Sequence, residues 1–166
     1  MIRRVNSVLS CIQEANNVLV VGHIMPDGDC ISSVVSLSMG LEKFGKIATP
    51  AIDWRIPSSF SAFPWVERIR EYSEEISEPD LIIVVDASSP DRIGRFEEFL
   101  RKGIPSIVID HHATNTYFAN ECWVDASYSS AAQMVLDLLK LMDVEYDSDL
   151  ALMNYLGIAT DTGFFR

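Results

Sequence analysis

Carboxylate and imidazole side chains occur in four short clusters along the chain, and these residue types can support metal-assisted chemistry. The candidate ligands are His23, Asp27 and Asp29 in the first cluster, Asp86 in the second, His111 in the third and Asp161 in the fourth. Four carboxylates brought into one cleft would repel one another strongly unless cations were present. Oxygen and nitrogen donors together suit Mn²⁺, with Mg²⁺, Co²⁺ and Zn²⁺ as alternatives. A pair of such ions about 3.5–4 Å apart supports phosphoryl transfer.

Three apolar runs predict the strands that must position these clusters. Residues 18–21, 81–85 and 104–109 are largely aliphatic and β-branched, without strict polar alternation, which is typical of strands buried on both faces. A weaker strand is predicted near residues 47–52. Ligands in open α/β sheets bind outside the carboxyl ends of the strands, and three of the four polar clusters directly follow such a run. The fold itself is therefore expected to bring these side chains together.

Helical periodicity lies between and after these runs. It predicts helices over residues 32–44, 93–102, 131–142 and 149–159. The alternation of strands and helices predicts an α/β fold, a doubly wound and mostly parallel sheet with helices on both faces. Residues 57–65, which begin with one proline and include another, are predicted to form an irregular loop.

The composition limits the classes of function. The chain has 166 residues, enough for one domain with a core, and a formal net charge of −11. Such an acidic protein is not expected to hold duplex DNA on a broad basic face. No run approaches the roughly 20 apolar residues of a membrane span, so no membrane partner is expected. Three cysteines without CxxC spacing favour reduced thiols and a cytoplasmic location over a disulfide framework.

The order and spacing of the four clusters resemble the DHH phosphoesterase family. The matching motifs are His23-x-x-Pro26-Asp27-x-Asp29, Asp86, Asp110-His111-His112-x-x-Asn115 and Gly157-Ile158-x-Thr160-Asp161-Thr162-Gly163. The resemblance extends over about residues 18–165, almost the whole chain, and is to the N-terminal catalytic domain of the family. Arg92-Ile93-Gly94 makes the sequence most similar to the branch of oligoribonucleases and 3′-phosphoadenosine-5′-phosphate phosphatases.

The resemblance implies a role for each matching residue. One metal ion would be held by His23, Asp27 and Asp86, and the other by Asp29, Asp86, His111 and Asp161. His112 would donate a hydrogen bond or a proton to the leaving oxygen, Asp110 would orient a ligand imidazole, and Arg92 and Asn115 would contact the substrate. With two Mn²⁺ ions as cofactors, an activated hydroxide would hydrolyse short RNA or DNA oligonucleotides or nucleotide phosphates.

Two departures from the family pattern bear on activity. Gln133 stands about where family members often carry a Glu. A C-terminal domain with a Gly-rich, His-containing motif has no counterpart, and Lys140 is the only Lys or Arg within residues 103–165. Residues 1–166 are therefore expected to be a catalytic domain cut from a longer protein, which binds metal but hydrolyses nucleotides poorly. Phe164 and Phe165 are expected to pack against a further segment or another subunit, as in a homodimer.

Several alternatives remain open at this point. Within the enzyme class they are a manganese-type inorganic pyrophosphatase, a cyclic dinucleotide phosphodiesterase and a RecJ-type exonuclease. The acidic balance and small size disfavour the exonuclease, and the Arg92-Ile93-Gly94 match disfavours the pyrophosphatase. In a different class, the chain would be a regulatory module that binds nucleotide or metal without catalysis.

Overall fold

Five parallel strands form the central sheet of this protein. The computed structural model describes residues 2–73 and 75–166. The strands are β1 (Asn17–Val21), β2 (Ile47–Ala51), β3 (Leu81–Val85), β4 (Ser106–Asp110) and β5 (Glu121–Val124). They lie in the order β2-β1-β3-β4-β5, and every neighbouring pair is parallel. The α/β fold with a parallel sheet is thus confirmed.

The helices agree with the predicted ones in number and place after the first strand. They are α1 (Ile2–Glu14), α2 (Gly28–Lys43), α3 (Glu97–Arg101), α4 (Ala131–Leu141) and α5 (Ser148–Asp161). Short 3₁₀ helices span Ser58–Phe60, Val66–Arg68 and Pro90–Phe96. The predicted helix over residues 93–102 is therefore divided between a 3₁₀ segment and α3. Among the described residues, no helix has the length and apolar content needed to cross a membrane.

Apolar side chains of the strands alternate between two hydrophobic cores, one on each face of the sheet. Val18 and Val20 of β1 belong to the larger core, which α1, α2, α4 and α5 cover. Leu19 and Val21 belong to the smaller core, which is closed by the 3₁₀ helix at Pro90–Phe96 and by α3. Burial on both faces explains why β1 has no polar position after its first residue.

One α-helix and one strand of the structure were not predicted. The buried apolar residues of α1 are Val5, Val8 and Ile12, which have helical spacing within a segment of mixed polar and apolar residues. The edge strand β5 has only four residues, so its sequence contains no apolar run of useful length. In both cases the contacts with the rest of the sheet decide the local structure.

Helices α2, α4 and α5 approach one another closely at Gly157. A Cβ atom at this position would lie 2.5 Å from Cβ of Ala132 and 2.6 Å from Oγ of Ser32. It would also lie 2.9 Å from Oδ1 of Asp29, one of the candidate ligands. The absence of a side chain at Gly157 therefore allows the helices to pack at this distance.

We expect the substitution Gly157→Ala to lower the free energy of unfolding by about 1–3 kcal/mol, because the new methyl group overpacks this crossing. Urea denaturation followed by circular dichroism measures the change. Leu152→Ala serves as the control, since Leu152 lies on the same helix with 43% of its surface exposed and its truncation should cost about 0.5 kcal/mol or less. Equal stability changes in the two variants would contradict the close-packing argument.

The strand order places a crevice between the ends of β1 and β3. The connection from β1 leads to β2 on one side, and the connection from β3 leads to β4 on the other. Ligand sites in open α/β sheets lie at such a reversal of strand order, outside the carboxyl ends of the strands. The first and second polar clusters flank this crevice, and the third lies at the end of the adjacent β4.

Candidate metal centre

Two histidines and one aspartate meet where β1, β3 and β4 end. Asp86 directly follows β3, His111 directly follows β4, and one residue separates His23 from β1. Nε2 of His23 lies 3.5 Å from Oδ2 of Asp86, and Nε2 of His111 lies 3.5 Å from Oδ1 of the same residue. The two oxygens of one buried carboxylate therefore face two different imidazoles.

Asp29 and Asp161 approach His111 from two helices. Their Oδ2 atoms lie 3.8 and 3.6 Å, respectively, from Nε2 of His111. The carboxylate of Asp29 is buried and accepts hydrogen bonds from the backbone N–H groups of Ala131 at 2.7 Å and Ala132 at 2.8 Å. These are the first two amides of α4, which have no partner within the helix. The start of α4 therefore orients the Asp29 carboxylate.

Asp27 stands at the open side of the cluster. Its side chain is 63% exposed, and its Oδ1 atom lies 3.9 Å from Nε2 of His23. The same oxygen accepts a hydrogen bond from the backbone N–H of Cys30 and caps the start of α2. This cap explains why α2 begins at Gly28, four residues before the predicted start. All six expected ligands thus lie around one locus.

The donor set fits the binding of divalent cations. Oδ1 of Asp86 and Nε2 of His111 are buried and have no hydrogen-bond partner, whereas buried polar atoms are rarely left unpaired. The separations of 3.5–3.9 Å around His23 and His111 are longer than normal hydrogen bonds. Two atoms that each bind one cation at about 2.1 Å lie at a similar distance from each other. Nitrogen and carboxylate donors are suitable ligands for such an ion.

The pKa values of the cluster reflect an excess of negative charge. Burial, with the nearby charge of Asp86, raises the pKa of Asp29 to about 7 against the effect of its two backbone hydrogen bonds. Interaction with the Asp86 carboxylate raises the pKa of His111 to about 9. Burial alone would raise the pKa of Asp86, but the imidazoles of His111 and His23 hold it below its usual value. A bound cation would supply the positive charge that these groups now take from protons.

His112 lies beside the cluster and has a buried partner. Its Nδ1 atom lies 2.7 Å from Oδ1 of Asp110, and this hydrogen bond raises the pKa of His112. Asp110 is fully buried, and its other oxygen accepts a hydrogen bond from Nδ2 of Asn115 at 2.7 Å. Asn115 is also buried and donates to the carbonyl of Ala87. Its amide group thus supports Asp110, and its expected substrate contact stays a prediction.

A cavity of about 220 Å³ opens next to these groups. Its lining consists of His23, Asp27, Asp86, Ser88, Arg92, His112 and Asp161. Nδ1 of His23 lies 2.8 Å from the carbonyl of Ile24 and 3.2 Å from Nη2 of Arg92. When Nε2 of His23 binds a metal ion, Nδ1 carries the ring proton and donates to this carbonyl. Nδ1 then cannot accept a hydrogen bond, so Nη2 of Arg92 keeps its donor for a ligand in the cavity.

Three features of the site were not predicted from the sequence. The helical periodicity predicted where α4 begins, but not that its first amides hold Asp29. The Sγ atom of the buried Cys30 accepts a hydrogen bond from the backbone N–H of His23. Gln133, in the place of the family Glu, accepts from the N–H and hydroxyl groups of Ser129 and so stabilises the start of α4.

Comparison with known proteins decides the family. The family model "DHH family, N-terminal domain" matches residues 17–158, which is most of the chain. The chain belongs to the DHH family. A similar DHH protein is the bifunctional oligoribonuclease and PAP phosphatase NrnA of Thermus thermophilus, which is 34% identical over 169 aligned residues. The alignment covers 99% of this chain and 48% of that protein. The chain spans about half the length of the curated relatives it matches.

Solved structures confirm the DHH fold. An exopolyphosphatase-related protein from Bacteroides fragilis superposes with a TM-score of 0.89 and 25% identity, over 99% of this chain and 52% of that one. The exonuclease RecJ bound to manganese gives a TM-score of 0.57 and 17% identity, over 95% of this chain and 43% of that one. The likeness to RecJ establishes a shared fold. The roles of the individual DHH side chains stay predictions.

Proposed function

We propose that the protein is a metal-dependent phosphoesterase that hydrolyses short oligonucleotides or nucleotide phosphates. The observation that carries this proposal is the position of Asp86, whose two oxygens face His23 and His111 from a buried strand end. A carboxylate placed in this way is suited to bridge two cations. The cavity beside it, with a free guanidinium donor and an exposed imidazole, has the polarity that a phosphoryl group requires.

Two Mn²⁺ ions are the proposed cofactors, and the mixture of oxygen and nitrogen donors supports this choice. The proposed ligands are His23, Asp27 and Asp86 for one ion, and Asp29, Asp86, His111 and Asp161 for the other. Mg²⁺ and Co²⁺ are the alternatives: imidazole ligands suit Co²⁺, whereas Mg²⁺ prefers sites made of oxygen ligands alone. When bound, such a pair of ions supplies a nucleophile at neutral pH and balances the charge of the phosphoryl oxygens.

His112 is the proposed proton donor to the leaving oxygen. Its pKa is raised by Asp110, so a larger fraction of the imidazole carries a proton near neutral pH. Its side chain is 46% exposed and lines the cavity, whereas Asp110 is inaccessible. Arg92 is the proposed phosphate ligand, and its planar guanidinium suits two phosphoryl oxygens. Asp110 and Asn115 act by positioning the imidazole.

The substrate class rests on the relatives. The Thermus thermophilus protein is named as an oligoribonuclease and PAP phosphatase, and the present chain corresponds to about half of it. We therefore propose RNA or DNA oligonucleotides and nucleotide phosphates as substrates for a protein that contains this domain. The catalytic domain over residues 1–166, the cytoplasmic location and the homodimer stay predictions of the sequence.

A substrate panel tests the proposal. The protein is incubated with Mn²⁺ and either 3′-phosphoadenosine-5′-phosphate, a short RNA, a cyclic dinucleotide or pyrophosphate, and the products are separated by chromatography. We expect hydrolysis of the first two, at a low rate. Preferential turnover of pyrophosphate or of the cyclic dinucleotide would overturn the assignment in favour of the corresponding enzyme. Binding of nucleotide without turnover of any compound would indicate a regulatory module.

The substitution His112→Gln is expected to lower kcat by about 10²-fold or more, because the leaving oxygen loses its proton donor. The metal-dependent rise in melting temperature is expected to persist, since His112 is outside the proposed ligand set. Comparison of kcat with the melting curve in Mn²⁺ separates these effects. A variant with normal kcat would contradict the proposed role.

A further inference from the structure

Three exposed large side chains with apolar surface lie in loops at the same edge of the sheet as the polar cavity. Met25, Trp54 and Tyr117 are 57%, 46% and 54% exposed, respectively. They lie in the loops that follow β1, β2 and β4, at the edge of the sheet where the strands end. We refer to these three residues as the rim. The cavity lining itself contains charged and polar residues, so the rim has a different chemical character from the floor.

Backbone hydrogen bonds connect Met25 and Tyr117 to residues that line the cavity. Ile24, which precedes Met25, donates its N–H to the carbonyl of Arg92 at 2.7 Å. Thr116, which precedes Tyr117, donates its N–H to the carbonyl of Ser88 at 2.8 Å. Since Arg92 and Ser88 line the cavity, the backbone that leads to each of these two rim residues is hydrogen-bonded to the cavity lining.

Trp54 is held near the cavity from the other side. In the parallel register Val21 of β1 pairs with Ala51 of β2, so the residues after β2 run beside those that lead to His23. Asp53, directly before Trp54, accepts a hydrogen bond from the backbone N–H of Arg95 at 2.7 Å. Arg95 and the cavity residue Arg92 both lie in the Pro90–Phe96 segment, on either side of a kink at Gly94. The loop that carries Trp54 is therefore hydrogen-bonded to the segment that contains Arg92.

The backbone of two rim residues is unusual. Met25 has a φ angle of 55° and Tyr117 a φ angle of 54°, in the left-handed region that residues with side chains rarely adopt. Such conformations cost free energy and persist where the surrounding structure imposes them, often at functional sites. Five other described residues with side chains share this region, among them Asp86, which lines the cavity.

We propose that the rim binds the nucleobases of a single-stranded oligonucleotide while the scissile phosphoryl group enters the cavity. This inference rests on the proposed function and extends it to the part of the substrate that does not react. A cavity of about 220 Å³ is below the roughly 300 Å³ at which pockets for whole small molecules begin, so it cannot enclose a whole nucleotide. With the phosphoryl group inside the cavity, the base therefore lies outside it. Stacking on aromatic rings accepts every base, and the rim therefore predicts little sequence preference.

The test compares two substrates that share one phosphodiester: a diadenylate and the corresponding abasic dinucleotide. The measured quantity is the ratio of their KM values in Mn²⁺. We expect the wild-type protein to prefer the diadenylate, and Trp54→Ala to reduce this preference by about 10-fold. Tyr117→Asn is expected to reduce it as well, since Asn tolerates the left-handed backbone. Trp54→Leu, checked by circular dichroism, replaces the alanine variant if the latter fails to fold.

Tyr155→Ala is the matched control, because Tyr155 is an exposed aromatic residue of α5 that lies outside the rim. An unchanged preference in both rim variants, or an equal loss in the control, would overturn the inference. If the wild-type protein hydrolyses neither dinucleotide, the proposed function is contradicted, whereas the inference about the rim is still open to a binding test. Equilibrium binding then tests the inference. Quenching of tryptophan fluorescence by the diadenylate in the wild-type protein, but not in Trp54→Phe, would support base binding at the rim. Identical quenching in the two proteins would overturn it.

Discussion

Asp86→Asn is expected to abolish hydrolysis, with a fall in kcat/KM of about 10³-fold or more. The residue is the proposed shared ligand, with oxygens 3.5 Å from Nε2 of His23 and of His111. An amide in its place keeps the shape but loses the negative charge and one oxygen donor. Metal ions of this kind contribute several kcal/mol of transition-state stabilisation. Each ~1.4 kcal/mol in the activation free energy corresponds to a factor of ten in the rate.

Asparagine is the informative replacement because of the backbone at this position. Asp86 has a φ angle of 57°, in the left-handed region, where asparagine is among the few tolerated residues. Asp143→Asn is a matched control, since Asp143 has a φ angle of 55° but is exposed and distant in sequence from every proposed ligand. Kinetics with Mn²⁺ and circular dichroism of both variants separate lost chemistry from lost folding. Normal turnover by folded Asp86→Asn protein would refute the shared-ligand role.

The convergence of the site was predictable because it depends on strand ends. The runs at residues 81–85 and 18–21 were predicted to within one residue, since strands buried on both faces have few polar positions. In a parallel sheet the residues that follow such strands must lie at one edge. The placement of Asp86 and His111 followed from this rule, and the helical periodicity placed Asp161 at the end of the last helix.

The environment of individual ligands was not predictable in the same way. The hydrogen bonds from Ala131 and Ala132 to Asp29 join segments more than 100 residues apart, and their donors are backbone groups that no residue type reveals. The exposure of Trp54 likewise depends on how its loop packs against the next 3₁₀ helix. Helix α1 and strand β5 were not predicted, because their apolar residues become buried only through contacts with the assembled sheet.

Mn²⁺ is expected to raise the melting temperature by about 8–16 °C relative to the protein in EDTA. Its proposed ligands come from the start of α2, the end of α5 and the ends of three strands, so binding requires the folded arrangement. A ligand that binds only the native state adds about 4 kcal/mol at a concentration 1,000 times its Kd. For a chain of this size each kcal/mol corresponds to about 2–4 °C.

Variants of α5 show whether this stabilisation comes from the centre itself. Asp161→Asn removes a carboxylate whose Oδ2 atom lies 3.6 Å from Nε2 of His111, and we expect it to lose most of the Mn²⁺-dependent rise. Asp149→Asn removes an exposed carboxylate at the opposite end of the same helix, and its rise should match the wild type. Calorimetry with Mn²⁺, with EDTA and with NaCl at equal ionic strength measures all three proteins. A rise that survives in Asp161→Asn, or that NaCl reproduces, would mean that the cation acts by screening the net charge of −11 rather than at this site.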